Sequence, residues 1–129
     1  MHRRPLPGCL TVAYRGRLPV SAFGDREIRA KEFAKWRDCH SAFRRGERRR
    51  IVDRYKAQLA AGDPVPPIWL DVDDKYGCVY VGDGHHRAVA LIESGAADFD
   101  FHWRLTFKFG LFSQPPLENG PFPYSLLGL

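Results

Sequence analysis

The stretch CVYVGDGHHRAVALIES, residues 78–94, carries the strongest structural signal in this chain. Its first four residues, Cys78–Val81, are mostly β-branched or aromatic and favour a strand. A glycine-containing turn, Gly82–Gly84, follows, and the residues from His85 onward show the apolar periodicity of a helix. The order therefore predicts a strand, a tight turn, and a helix with basic residues in its first turn.

A turn of this kind is suited to binding phosphate. The first N–H groups of a helix are unpaired and lie at the positive end of its dipole, and glycine lets an anion approach the backbone closely. Basic residues at a helix start are repelled by that dipole unless an anion is present. We therefore expect phosphate contacts from the turn and first helical residues, which are Gly82, Asp83, Gly84, His85, His86 and Arg87.

The alternative interpretation is an ordinary helix start with solvated basic residues. Asp83 is expected to cap this helix, and it is also the candidate ligand for a magnesium ion beside the phosphates. A transition-metal site on His85 and His86 is not favoured, because adjacent residues point in different directions at a helix start.

Composition limits the classes of protein to consider. A chain of 129 residues with 44% hydrophobic residues predicts one folded domain, and the net charge of +5 favours an anionic partner. The three cysteines suggest neither a disulfide framework nor a zinc site. No apolar run approaches ~20 residues, so we expect a cytoplasmic protein that does not cross the membrane.

Patterning predicts the remaining elements. Asp25 is expected to cap a helix that buries Ile28 and Trp36, and a second helix is expected over residues 47–61. Strands over 68–72 and 78–82 should form a hairpin, and strict alternation predicts a strand over 99–108. One domain is expected over residues 1–110, followed by a proline- and aromatic-rich tail, 111–129, that packs on the domain, a second subunit or a protein partner.

A basic cluster spans the start of the second predicted helix. It is a candidate surface for nucleic-acid phosphates, although a solvated charge cluster is equally compatible with the pattern. Its members are Arg44, Arg45, Arg48, Arg49 and Arg50.

The segment from about Gln58 to Arg104 resembles the ParB/sulfiredoxin superfamily. The resemblance rests on a helix ending at Gly62, on Pro67-Ile68 opening a strand, and on the turn Asp83–Arg87 between a strand and a helix. It implies a small α+β domain in which helices pack on one side of a curved mixed sheet.

Three branches of this superfamily differ at the turn. Partition proteins of the ParB type carry Gly-Glu-Arg-Arg and bind cytidine triphosphate, whereas sulfiredoxins carry a redox cysteine at the position of His85. Free-serine kinases of this fold carry Asp-Gly-His-His-Arg, which Asp83–Arg87 matches letter for letter. The absent cysteine argues against sulfinic-acid repair. The kinases also use an acidic base from the N-terminal half, for which Glu27 and Glu32 are the candidates.

A second segment, Gly46-Glu47-Arg48-Arg49, also spells the partition-protein motif. It follows a helical pattern instead of a strand, so its context favours the Asp83–Arg87 turn as the phosphate site.

The resemblance implies a stand-alone ParB-like protein of a phage or plasmid type. Its ligand would be a nucleotide triphosphate or diphosphate (ATP, ADP or CTP), with Mg²⁺ and with DNA as a further candidate partner. The chain is too short to include the other domains of a partition protein, which argues against a clamp role. The first alternative is a phosphotransferase or phosphoester hydrolase whose catalytic candidates are Asp83, Glu32 and His86. The second is a non-catalytic interaction protein that uses the C-terminal tail.

Overall fold

The computed structural model describes residues 3–5, 12–73, 75–106, 113–114 and 122–128. Within them the chain forms a mixed sheet with three α-helices and two short 3-10 helices, so the α+β class is confirmed. The strands are β1 (Arg3–Pro5), β2 (Val12–Pro19), β3 (Ile28–Ala30), β4 (Ile68–Asp73), β5 (Cys78–Asp83), β6 (Asp98–Thr106) and β7 (Ser113–Gln114). The helices are α1 (Trp36–Ala42), α2 (Gly46–Ala60) and α3 (His85–Glu93), with 3-10 helices at Val20–Ala22 and Tyr124–Leu127.

The sheet has the strand order β1-β2-β6-β4-β5-β3, and β7 pairs with β6 outside this path. The β4–β6 and β3–β5 pairs are parallel, and the other pairs are antiparallel. The predicted β4–β5 hairpin and the long strand β6 are therefore confirmed. No helix in the described part of the chain is both long and apolar enough to cross a membrane.

The buried core uses alternate residues of the central strands. This alternation follows from the two-residue period of a strand, which places successive side chains on opposite faces. Residues of the helices join the same apolar cluster, including Val52 of α2 and Val89 of α3. The core-facing strand residues are Ile68, Leu70, Val72, Val79, Val81, Phe99, Phe101 and Trp103.

The prediction that a helix follows Asp25 directly is wrong in position. Residues 28–30 form strand β3, which pairs in parallel with β5, and α1 begins only at Trp36. Asp25 nevertheless satisfies a helix start, because its Oδ1 accepts a hydrogen bond of 2.8 Å from the backbone N–H of Trp36. The pairing with β5 is a tertiary effect that outweighs the local helical spacing of Ile28 and Trp36.

The end of the expected tail packs on the core. Phe122 is buried, and its ring meets the rings of Phe101 and Trp103 edge-on at centroid distances of 4.9 Å and 5.5 Å. Leu127 is also buried. The expectations for residues 107–112 and 115–121 lie outside the described residues.

The other face of the sheet holds a buried carboxylate. Asp71 of β4 is 1% exposed, and its two oxygens lie 2.8 Å from Lys31 Nζ and 2.8 Å from Arg104 Nε. The register of β4 against β5 shifts between Trp69 and Leu70, which leaves Gly82 as an extra residue in β5 beside this carboxylate. A Cβ atom on Gly82 would lie 2.5 Å from Asp71 Oδ1, so a side chain there would displace the carboxylate.

Replacing Gly82 by alanine is expected to lower the free energy of unfolding by about 3 kcal/mol, because the new methyl group overpacks a buried ion-paired carboxylate. Urea denaturation followed by circular dichroism measures this loss. Gly95→Ala is the matched control: Gly95 has a φ of 69° but has nothing within 4 Å of its would-be Cβ. It should cost about 1 kcal/mol from backbone strain alone. Equal losses in the two variants would show that the contact with Asp71 is unimportant.

Candidate functional site

The turn between β5 and α3 begins the candidate site. Gly84 is the N-cap residue of α3 and has a left-handed φ of 119°. Because glycine has no side chain, the N-cap position provides no side-chain hydrogen bond to the helix. The prediction that Asp83 caps α3 is therefore wrong. A Cβ atom on Gly84 would lie 3.1 Å from Ile68 Cγ1 and 3.1 Å from Arg87 Nη2, so glycine serves both the conformation and the packing.

Arg87 is buried beside this turn and bonded to other parts of the chain. Its guanidinium is buried, donates a hydrogen bond of 2.8 Å from Nη1 to the carbonyl oxygen of Pro67, and lies 3.3 Å from Asp83 Oδ2 through Nη2. These contacts fasten the first turn of α3 to the segment that enters β4. Arg87 is accordingly placed to support the turn, and it does not line the cavity beside it.

A polar cavity of about 210 Å³ lies over the turn. It brings together residues from the loop after β3, the start of α2 and the start of α3. The lining residues are Glu32, Phe43, Arg48, Gly82, Asp83, Gly84, His85 and His86.

The cavity gathers most of the predicted site. Five of the six predicted phosphate contacts line it, and the three catalytic candidates Asp83, Glu32 and His86 meet there. Glu27, the other candidate base, does not line the cavity and lies against Gly24.

Arg48 contributes a permanent positive charge to the cavity. It is exposed, lies in the first turn of α2, and its guanidinium carbon lies 5.2 Å from the ring centroid of Phe43 and 5.9 Å from that of Phe33. Cation–π contacts of this kind hold the guanidinium in place while leaving its N–H groups available. The segment Gly46-Glu47-Arg48-Arg49, which its context argued against, thus supplies Arg48 to the cavity that Asp83–His86 also line.

The rest of the basic cluster divides into two groups. Arg49 donates to both oxygens of Glu93, at 2.9 Å and 2.8 Å, and also to Asp53, and these partners raise its pKa. Arg50 pairs with Glu47 at 2.6 Å. Arg44 and Arg45 are exposed at the turn before α2. Of the five arginines that were candidates for nucleic-acid contact, Arg49 and Arg50 therefore pair with acidic residues of the protein.

His85 is oriented by the loop after β3. Its Nε2 accepts a hydrogen bond of 3.0 Å from the backbone N–H of Lys31, and its ring lies near the rings of Phe33 and Trp36. Burial lowers the pKa of His85, and the nearby carboxylate of Glu32 opposes this shift. His85 is consequently neutral near pH 7.

His86 is also neutral near pH 7. Its ring packs on Phe43 with a centroid distance of 4.8 Å. Burial lowers the pKa of His86, and the positive charges of Arg48 and Arg87 lower it further. The Nε2 atom is buried and has no hydrogen-bond partner among the described residues, which leaves a polar atom at the cavity unsatisfied.

Among the described residues that line the cavity, Asp83 is an exposed carboxylate that could hold Mg²⁺. Asp83 is largely exposed and its contact with Arg87 is long, at 3.3 Å. Across the described ranges, no three His, Cys, Asp or Glu side chains are grouped as a metal site would require. Asp83 therefore fits the manner in which Mg²⁺ binds through one or two carboxylates together with substrate phosphates and water.

Lys31, Asp71 and Phe43 were not identified from the sequence as parts of the site. The sequence did contain one indication for Asp71. It lies within a strand predicted to be buried, and a buried carboxylate requires a cationic or hydrogen-bonding partner. The identity of that partner, Lys31, depends on the fold. No comparable signal marked Phe43 as a residue of the cavity.

A larger open groove, of about 580 Å³, lies between the C-terminal halves of α2 and α3. Its lining is apolar except for Lys56 and Ser94. It contains none of the acidic or imidazole groups found at the smaller cavity, so we assign the chemistry to the smaller one.

Searches against models of protein families, against curated proteins and against solved structures found no match. The function is therefore argued from the geometry of the site.

Lowering the pH from about 7.5 to about 5 is expected to reduce the free energy of unfolding. The folded-state pKa values of His85 and His86 are lowered from their ordinary value, so the unfolded chain binds these protons more readily. Their contribution is complete above about pH 6.5 and is lost as the pH falls through the folded-state values. Urea denaturation at several pH values measures this slope.

The double variant His85→Gln, His86→Gln should flatten that slope. Glu93, whose pKa of about 2 is held low by Arg49, loses its contribution as the pH falls from its ordinary value of 4.5 toward 2, which is below this range. A slope equal to that of the wild type in the double variant would contradict the assignment to these histidines.

Proposed function

We propose that this protein binds the phosphate group of a nucleotide in the cavity over the Asp83–Gly84 turn, as a stand-alone protein of the ParB-like kind. The observation that carries the proposal is the convergence of Arg48, the uncapped first turn of α3 and two neutral histidines on one polar cavity. Each supplies hydrogen-bond donors or positive potential, which is what a phosphate requires. The likeness of Asp83–Arg87 to the phosphate-binding turns of the ParB/sulfiredoxin superfamily supports the same ligand.

The size of the cavity limits how a nucleotide binds. A volume of about 210 Å³ lies below the range of about 300–1,000 Å³ that is usual for sites enclosing a whole ligand of drug size. The cavity therefore takes the phosphate end, and the nucleoside lies outside it. ATP, ADP and CTP all meet this requirement.

Mg²⁺ accompanies the phosphates in this proposal. Asp83 would hold the ion together with phosphate oxygens, and the ion would offset the negative charge that Asp83 and Glu32 bring to the cavity. The chain's own contribution is to place the two carboxylates beside the anion-binding turn.

Replacing Arg48 by alanine is expected to weaken the binding of ATP, ADP or CTP with Mg²⁺ about tenfold, because a charge-assisted contact with phosphate is lost. Isothermal titration calorimetry measures the dissociation constants. The matched control is Arg50→Ala, which removes the same charge from the same helix at a residue paired with Glu47, and it should change binding less than about twofold. If the wild type binds none of the three nucleotides, nucleotide binding is wrong.

A second candidate function is phosphate transfer to a small hydroxylated acceptor. The observation that favours it is the position of Glu32 in the same cavity as Asp83 and His86. In this reaction the acceptor oxygen attacks the terminal phosphorus of a nucleoside triphosphate, the bond to the bridging oxygen breaks, Glu32 takes the hydroxyl proton, and the nucleoside diphosphate leaves. Asp83 is the alternative base, and the neutral imidazole of His86 can donate to the transferred phosphate.

Glu32→Gln is expected to lower the rate of such a transfer at least about 100-fold through loss of the general base. Release of nucleoside diphosphate, measured with and without free serine as acceptor, provides the assay. Glu27→Gln is the control, since Glu27 lies away from the cavity, and it should retain wild-type activity. Activity that persists unchanged in Glu32→Gln would exclude Glu32 as the base, and release without acceptor would indicate hydrolysis.

The described contacts favour a free nucleotide over DNA. Arg49 is paired with Glu93 and Arg50 with Glu47, and of the five clustered arginines only Arg48 lines the cavity. An interaction role for the tail is less favoured, because Phe122 and Leu127 are buried within the same chain.

A further inference from the structure

Asp71 contacts the segments that build the cavity without lining it. One oxygen of its carboxylate pairs with Lys31, whose neighbour Glu32 lines the cavity, and Gly82 at the end of β5 lies directly against the carboxyl group. The other oxygen pairs with Arg104 of β6. The carboxylate thus joins the loop after β3, the end of β5 and the neighbouring strand.

Lys31 has a second contact, through its backbone. The backbone N–H donates to Nε2 of His85 at 3.0 Å, while the side-chain ammonium holds Asp71 at 2.8 Å. A backbone N–H can only donate, so Nε2 is the unprotonated nitrogen of His85. The proton of the neutral imidazole is therefore on Nδ1, the atom left to donate to a ligand.

The position of the Lys31 backbone is not fixed by strand pairing. Strand β3 ends at Ala30, and residues 31–35 form a turn and bend before α1 begins at Trp36. The ammonium–carboxylate pair holds this short segment down on the sheet. The side chain of Asp71 is 2% exposed and that of Lys31 is 49% exposed, so the pair is shielded from solvent mainly on the side of Asp71. Removing Lys31 therefore takes from a buried carboxylate one of its two cationic partners, which costs stability even where the intact pair adds little.

We propose that Lys31 and Asp71 are positioning residues for the cavity: they hold His85 in the tautomer whose Nδ1–H donates to bound phosphate, and they hold Glu32 beside it. The inference rests on the proposed phosphate site for its ligand. The tautomer of His85 is set by the chain alone and can be measured without any ligand.

The test uses Lys31→Ala, which keeps the backbone N–H but removes the pair with Asp71. Long-range ¹H–¹⁵N NMR of the imidazoles reports which nitrogen of His85 is protonated. The wild type is expected to show Nδ1 protonated, and Lys31→Ala a mixture of the two tautomers. The same variant should weaken the binding of inorganic phosphate about fivefold, because one oriented hydrogen bond is partly lost.

Rescue and control variants separate positioning from general stability. Lys31→Arg restores a cation that can reach Asp71 and should return both the ¹⁵N signals and phosphate affinity to wild-type values. Asp71→Asn, which keeps the shape of the side chain, should reproduce the effects of Lys31→Ala. Arg26→Ala removes the same charge from an exposed residue and should leave both readouts unchanged.

The outcomes are distinct. If the nitrogens of His85 in Lys31→Ala and Asp71→Asn are the same as in the wild type, the positioning proposal is wrong, whatever the phosphate affinity. If the wild type binds no phosphate, the proposed function fails, and the nitrogen signals alone then decide whether Lys31 and Asp71 set the tautomer.

Discussion

The buried carboxylate of Asp71 is the interaction on which this arrangement depends. A charge that is 1% exposed must be neutralised, and Lys31 and Arg104 do so from two different segments at 2.8 Å each. Gly82 provides the space for the carboxylate, because any side chain there would overlap it. One electrostatic requirement therefore fixes the end of β5, the loop after β3 and strand β6 relative to one another.

The cavity over the turn is built on this frame, and its electrostatics differ from a simple cluster of positive charge. Arg48 supplies a cation held over Phe43, while burial keeps His85 and His86 neutral as hydrogen-bond donors. Glu32 and Asp83 bring negative charge to the same place. The proposed phosphate with Mg²⁺ would match this mixture, since the ion would offset the carboxylates and the donors would contact the phosphate oxygens.

Elements that depend on neighbouring residues were predicted correctly from the sequence, whereas those that depend on contacts between distant residues were not. Helix α2 was predicted within one residue at each end, and the β4–β5 hairpin and β6 were correct, because periodicity and turn residues determine them locally. The helix predicted from Asp25 failed because β3 pairs with β5, which is distant in sequence. Asp25 does accept a hydrogen bond from the first backbone N–H of a helix, but that N–H belongs to Trp36. No local spacing rule identifies a partner eleven residues away.

The sequence by itself determined the turn at Asp83–Arg87, since glycine freedom, strand residues before it and helical periodicity after it are properties of neighbouring residues. Only the tertiary structure decided what each side chain does there. Arg87, the expected phosphate contact, bonds to the carbonyl of Pro67, whereas Arg48 from another helix reaches the cavity. The physical reason is that a guanidinium pairs with the acceptors nearest to it in space, and folding brings those acceptors from distant parts of the chain.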